Sequence, residues 1–176
     1  EAEFERFTAL GGELARKAVT QSGESVQVAG CLPPLSESYR PDLVPEAVIA
    51  KPIYAQLVRA LEPYVDLFLC ETMSSADEAY HAASQAKAEG NGKPVYVAWT
   101  LNEAAGTGLR SGETLLAAFE RLADLDIDGY LLNCTTPEAA NAAITELKQL
   151  TDRPLGCYVN RIKEVPKGWT LDNEGP

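Results

Sequence analysis

Four cysteines, one histidine and a set of polar residues at the ends of short apolar runs are the groups through which this chain could do chemistry. Cys31, Cys70, Cys134 and Cys157 lie far apart, with no CxxC pair among them. Their spacing is neither that of a secreted disulfide framework nor that of a zinc ribbon. Buried free cysteine behaves as a small hydrophobe, and that is the role expected of Cys70 and Cys157. Cys31 and Cys134 each end an apolar run and stay open to a chemical role. A cysteine nucleophile needs a base, and the only histidine, His81, falls inside a helical stretch, where helix packing or a surface position is expected. Ser-His-Asp catalysis fails on the same ground. Metal binding is the other use of a strand-end thiolate, since zinc takes sulfur at about 2.3 Å and holds it deprotonated. Such a site needs at least two more ligands, which the spacing does not supply.

The elements that must position these groups alternate regularly. Strands are expected at residues 26–32, 65–70, 94–101, 129–134 and 154–159, each too short for a buried helix and rich in Val, Leu, Tyr or Phe. Helices are expected at residues 4–19, 45–61, 76–88, 113–125 and 137–150. In the fourth, Leu115, Leu116, Phe119, Leu122 and Ala123 trace one apolar stripe. Ser75 with Glu78 reads as a capping box, and Thr136 before Pro137 and Glu138 reads as an N-cap with proline at the first helical position. Strand starts recur roughly every 30 residues, as parallel strand–helix units require. Continuous apolar strands such as Leu67-Phe68-Leu69 suit a parallel sheet covered on both faces.

Two architectures fit this order: an open doubly wound sheet, and part of an eight-stranded barrel. Both place their sites at the C-terminal ends of the strands. Here those ends read Gly30-Cys31, Glu71-Thr72, Thr100-Leu101-Asn102, Asn133-Cys134 and Asn160-Arg161. No phosphate-binding glycine pattern follows any strand, which weakens the nucleotide-binding form of the open sheet. Side-chain alternation places Leu67 and Leu69 on the face of Glu71, with Cys70 turned away. It puts Tyr130 and Leu132 with Cys134, leaves Asn133 leaning to the helix layer or the strand end, and sends Cys157 into the core opposite Asn160.

Composition narrows the function classes. With 176 residues, 45% hydrophobic and 23% charged, the chain is expected to fold as a single domain. Its formal charge of -11 and the lack of any basic run argue against nucleic acid as a partner. No stretch approaches the roughly 20 apolar residues of a membrane helix, and the first residues lack the character of a secretion signal. A cytoplasmic protein is expected.

The strand-end motifs, taken in order, resemble the homocysteine S-methyltransferase family. They are Asp66-Leu67-Phe68-Leu69-Cys70-Glu71-Thr72, then Leu131-Leu132-Asn133-Cys134 with Thr136-Pro137-Glu138, then Tyr158-Val159-Asn160-Arg161 leading to Gly168-Trp169. Val28-Ala29-Gly30 with Pro33-Pro34, Tyr39-Arg40-Pro41-Asp42 and Leu109-Arg110-Ser111-Gly112-Glu113 resemble its earlier strand, loop and pre-helix turn. The resemblance implies a (β/α)8 TIM barrel, here an incomplete barrel of about five strand–helix units. It implies that residues 1–176 are the central part, with the first strands and the last strand missing. It implies zinc as cofactor, held by one cysteine of an Asn-Cys motif and by a Cys-Cys pair. Cys134 matches the first, and the pair has no counterpart in this sequence. By the same resemblance Glu71 holds the amino group of homocysteine, and Asn133 fixes either the substrate or the strand end.

The expected activity is therefore zinc-dependent methyl transfer from S-methylmethionine, S-adenosylmethionine or a betaine to the thiol of homocysteine, giving methionine. The expected partners are these small molecules. Zinc supplies the thiolate that a free thiol, with its pKa near 8.5, mostly lacks at neutral pH, so the want of a usable histidine is no objection. The rival readings are an open-sheet binding or regulatory module with Cys134 in its core, and a degenerate barrel that has lost its zinc site. With one zinc ligand of three, the chain alone is expected to bind zinc poorly and to catalyse nothing.

Overall fold

The computed structural model describes residues 2–160, 165 and 170. Five helices, α1 (Ala2–Ser22), α2 (Ala47–Leu61), α3 (Ala76–Glu89), α4 (Leu115–Arg121) and α5 (Pro137–Leu150), alternate with five strands, β1 (Ala29–Leu32), β2 (Leu67–Met73), β3 (Val95–Trp99), β4 (Gly129–Asn133) and β5 (Leu155–Tyr158). All four strand pairings are parallel, and the order across the sheet is the order along the chain, β1-β2-β3-β4-β5. This order decides between the two architectures. A doubly wound sheet starts in its middle and reverses at a switch point, which puts helices on both faces. Right-handed crossovers between strands that always step the same way put every helix on one face. Here α1 packs on α2, α2 on α3, α3 on α4 and α4 on α5 in one continuous outer layer. The arrangement is that of a (β/α)8 barrel, incomplete among the described residues, where β1 and β5 each pair on one side only.

The register assigns the two faces. Gly30, Phe68 and Val95 lie side by side, as do Leu32, Cys70 and Val97, and these positions meet the helices. Phe68, Cys70, Val95, Val97, Trp99 and Leu132 are completely buried there. Cys31, Leu69, Tyr96 and Gly129 form the corresponding row on the inner face, where Cys31 is exposed and Leu69 half-buried. A methyl group at Gly129 would come within 2.4 Å of the Tyr96 ring, so only glycine lets that ring lie across β4.

At the N-terminal end of the sheet one device is used twice. Asp66, just before β2, donates its N–H to the Val28 carbonyl at 2.8 Å and accepts the Val28 N–H on Oδ2 at 2.7 Å. Asp128, just before β4, does the same with Val95 at 2.9 and 2.8 Å. Each carboxylate also meets a cation, Arg16 at 2.8 Å for Asp66 and Lys87 at 2.7 Å for Asp128. The Val28 N–H and Arg16 hold Asp66 below the usual carboxylate range. Asp128 is drawn below it too, its partial burial outweighed by Lys87 and the Val95 N–H. A depressed folded-state pKa gives stability that is present above the unfolded value of about 3.9 and lost as pH falls through the folded value. Asp128→Asn is expected to cost about 1 kcal/mol at neutral pH, with the gap to wild type closing below about pH 4. Thermal melts across that range check it.

Helix starts follow the residue chemistry. Ser75, Thr114 and Thr136 each accept the N–H three residues on, from Glu78, Ala117 and Ala139 at 3.2, 3.1 and 3.2 Å. The capping box at Ser75 closes only by half. Glu78 turns back to Ser74, taking its N–H and its hydroxyl at 2.7 Å each, and the Ala76 N–H goes to Glu113 at 2.9 Å. Helix α4 stops at Arg121, short of the expected residue 125, because residues 122–125 leave as successive turns and Asp126 takes a left-handed φ of 48°. That exit drops Ile127 into the core at 2% exposure.

Candidate active site

The C-terminal ends of β2 and β4 depart from ideal strand geometry, and the departures build the site. In β2 the register advances three residues, from Cys70 to Met73, while β3 advances two, from Val97 to Trp99. This bulge contains Glu71 and Thr72, and Thr72 adopts a φ of 62°. A β-branched residue in the left-handed region carries strain of order 1–3 kcal/mol and persists only where its surroundings impose it. Asn133 does so. Fully buried at the end of β4, its Oδ1 accepts the Thr72 N–H at 3.2 Å and its Nδ2 donates to the Thr72 hydroxyl at 2.7 Å. The amide thus ties β2 to β4 across the end of β3.

The residue after Asn133 also turns left-handed, Cys134 at a φ of 50°. The Cys134 sulfur is half-buried and accepts from Asn133 Nδ2 at 3.2 Å. It also takes a hydrogen bond from the Tyr39 hydroxyl, whose pKa is pushed up to about 12 by burial and by that sulfur, against the lowering influence of Arg110. Tyr39 comes from the loop after β1 and is itself at a φ of 66°. The Arg110 guanidinium lies 4.6 Å from the centre of the Tyr39 ring, with its side chain only 7% exposed. Arg110 donates to the Thr100 hydroxyl at 3.1 Å and to Glu103 at 2.8 Å, and the Thr100 hydroxyl donates to the Cys134 carbonyl at 3.1 Å. The loops after β1 and β3 therefore converge on Cys134, the first at its sulfur and the second at its carbonyl.

Beside it, Glu71 faces inward with both oxygens engaged. Oε2 accepts from the Cys31 thiol at 3.0 Å and Oε1 from the Tyr158 hydroxyl at 2.7 Å. Burial and Glu71 together push the Cys31 thiol up to about 12, although one side of the residue is open to solvent. Tyr158 is likewise raised, by burial first and then by Glu71. Both partners are therefore neutral donors at physiological pH, and the Cys134 N–H donates to the Tyr158 carbonyl at 3.2 Å to join the two halves of the site.

The alternation argument holds for β2, where Leu67, Leu69 and Glu71 face inward and Cys70 is buried against the helices. It fails for β4. Tyr130 and Leu132 do not share the Cys134 side. Tyr130 stacks on Trp99 and packs on Phe119 in the helix layer, and Leu132 is buried in the same core. Asn133 is on the inner row with Tyr158, and Cys134 reaches the same site only through its left-handed backbone. Cys157 is exposed rather than buried in the core, because β5 is the edge strand. His81 is 8% exposed within α3, lowered in pKa by burial, with Nδ1 unpartnered among the described residues. It lines a separate depression of about 230 Å³ with Glu46, Asp77 and Glu113, apart from Cys134 and Glu71. The sequence marks Thr72 as a polar strand end but gives it no role, and Tyr39, Arg110 and Tyr158 carry no signal beyond membership in the ordered motifs. Arg161, Gly168 and Trp169 lie outside the described residues.

A catalytic zinc takes three protein ligands, and among the described residues no group of three His, Cys, Asp or Glu could hold a metal ion. Cys134 is a suitable single donor: a strand-end sulfur oriented by two hydrogen-bond donors. The described residues do not complete a site around it.

A one-way parallel sheet with its helices on one side, and with polar groups gathered at the C-terminal strand ends, defines a β/α barrel. The sequence profile of homocysteine S-methyltransferases matches residues 1–175, and the chain belongs to that family. Among solved structures it is similar to the homocysteine methyltransferase MmuM from Escherichia coli. For the apo form the TM-score is 0.76 at 24% identity, covering 91% of this chain and 61% of that one. For the metallated form the TM-score is 0.79 at 25% identity, covering 91% and 59%. The chain thus spans about three fifths of the length of these structures. No curated protein matches it. No helix among the described residues is long and apolar enough to cross a membrane.

Proposed function

We propose that the full-length protein transfers a methyl group to the thiol of homocysteine, giving methionine, from S-methylmethionine or a related sulfonium or betaine donor, and that it works in the cytoplasm. The observation that carries this reading is the Cys134 sulfur at the end of β4, held by Asn133 and Tyr39 beside an inward carboxylate, in a chain of this family. Cys134 is assigned as one zinc ligand, the others coming from outside the described residues, and this chain as the central part of the barrel. The metallated form of MmuM supports a metal in this family. When bound, the ion would hold the acceptor sulfur deprotonated.

The roles of the chain's own residues follow from their chemistry. Among the described residues Glu71 is approached by neutral donors only, which suits it to meet the ammonium group of the acceptor in a charge-assisted contact. Asn133 spends both amide N–H groups on Thr72 and Cys134, which favours the strand-end role over direct contact with substrate. In the transfer, a sulfur lone pair of the acceptor forms the new S–CH3 bond as the donor's S–CH3 or N–CH3 bond breaks and the donor leaves neutral.

Purified full-length protein is expected to contain one zinc per chain and to convert homocysteine and S-methylmethionine to methionine. Metal analysis and a methionine assay with each candidate donor test it. Protein that is folded but metal-free and inactive with every donor would overturn the reading and leave a barrel without catalysis.

A further inference from the structure

The inner-face carboxylate Glu71 is gripped from two directions by residues far away in sequence, and neither grip follows from the fold's own hydrogen-bond ladder. Cys31, on β1, and Tyr158, on β5, reach it from the two edge strands of the sheet. A free carboxylate side chain on an open surface samples several rotamers. One with a donor on each oxygen is held in one, which fixes where its unused lone pairs point. Neutral donors orient the group without cancelling its charge. Cys31 is unsuited to the other uses of a thiol, since its proton is retained far above neutral pH and the thiolate is the reactive and metal-binding form.

We propose that Cys31 is a positioning residue whose thiol, together with the Tyr158 hydroxyl, aims the Glu71 carboxylate at the ammonium group of an amino-acid acceptor. This rests on the assignment of Glu71 made above. It makes the pair Cys31 and Tyr158 a determinant of selectivity for acceptors that carry an amino group, distinct from the sulfur-binding half of the site.

Two measurements on the full-length protein test it. In the first, Cys31→Ala and Tyr158→Phe each raise KM for homocysteine about fivefold, since water replaces part of each lost hydrogen bond, while kcat holds within about twofold. Cys31→Ser, which keeps a donor, restores the wild-type KM. Neither Cys31→Ala nor Tyr158→Phe changes KM for the desamino analogue of homocysteine, which has no cation for Glu71 to meet. Equal losses for both acceptors would show a merely structural role and overturn the proposal. The second needs no turnover. Iodoacetamide alkylation of Cys31 at about pH 8, followed by peptide mass spectrometry, is slow in wild type and about tenfold faster in Glu71→Gln, where burial still raises the thiol but the carboxylate that adds to it is gone. An unchanged rate would show that Cys31 is not held by Glu71. A protein that transfers no methyl group but shows the accelerated alkylation separates failure of the proposed function from failure of the clamp.

Discussion

Cys134→Ala in the full-length protein is expected to lose its metal and to lower kcat/KM for homocysteine by about a thousandfold or more. Several kcal/mol of charge stabilisation by the ion would disappear with its ligand, and each 1.36 kcal/mol is about tenfold in rate. The fold should survive. Cys134 lies after the last paired residue of β4, is half-buried and takes a φ of 50°, which alanine adopts at no greater cost than cysteine. Cys157→Ala is the matched control, because Cys157 pairs with Leu132 on the helix side of the sheet, away from the inward-facing site, and should leave metal and turnover unchanged. Metal analysis alongside steady-state kinetics reads both. A Cys134→Ala protein with wild-type zinc and turnover would remove the central claim of the proposed function.

The second large effect belongs to Asn133. Asn133→Ala removes the acceptor of a buried N–H at Thr72, the donor to the Thr72 hydroxyl and the donor to the Cys134 sulfur. An unsatisfied buried N–H costs about 1–3 kcal/mol, and the strained Thr72 backbone loses the contact that holds it. Together these predict a loss of about 2–4 kcal/mol in urea unfolding. The same change should weaken metal binding about 10- to 100-fold, the usual cost of removing a group that orients a ligand. Thr72→Ala keeps the N–H and loses only the hydroxyl partner, so about 1 kcal/mol is expected, with a small effect on the metal. Asn133→Ala as stable as wild type would show that the crosslink between β2 and β4 contributes nothing.

The elements were legible because their signals are local. Apolar runs, the Thr136-Pro137 start and the cap at Ser75 each need only a few neighbouring residues, and they located all five strands and all five helices to within a few residues. The polar strand ends were legible for the same reason, and with them Glu71, Asn133 and Cys134 as the residues to watch. The order of the strands was not, since both candidate architectures are built from the same alternating units. Hydrogen-bonded pairing of each strand with its sequence neighbour decided for the barrel.

The inner workings of the site lay beyond local reading. Alternation presumes a regular strand, and it misassigned Tyr130 and Leu132 because Cys134 leaves the strand in a left-handed conformation that a cysteine does not advertise. The bulge at Glu71 and Thr72 is likewise a property of the pairing between β2 and β3. The amino-acid sequence by itself determined which polar residues end the strands and which short segments present them. Only the tertiary structure decided how those residues meet, because the contacts that orient them join positions 40, 61 and 87 residues apart, and backbone strain at the junctions is tolerated only once those contacts exist.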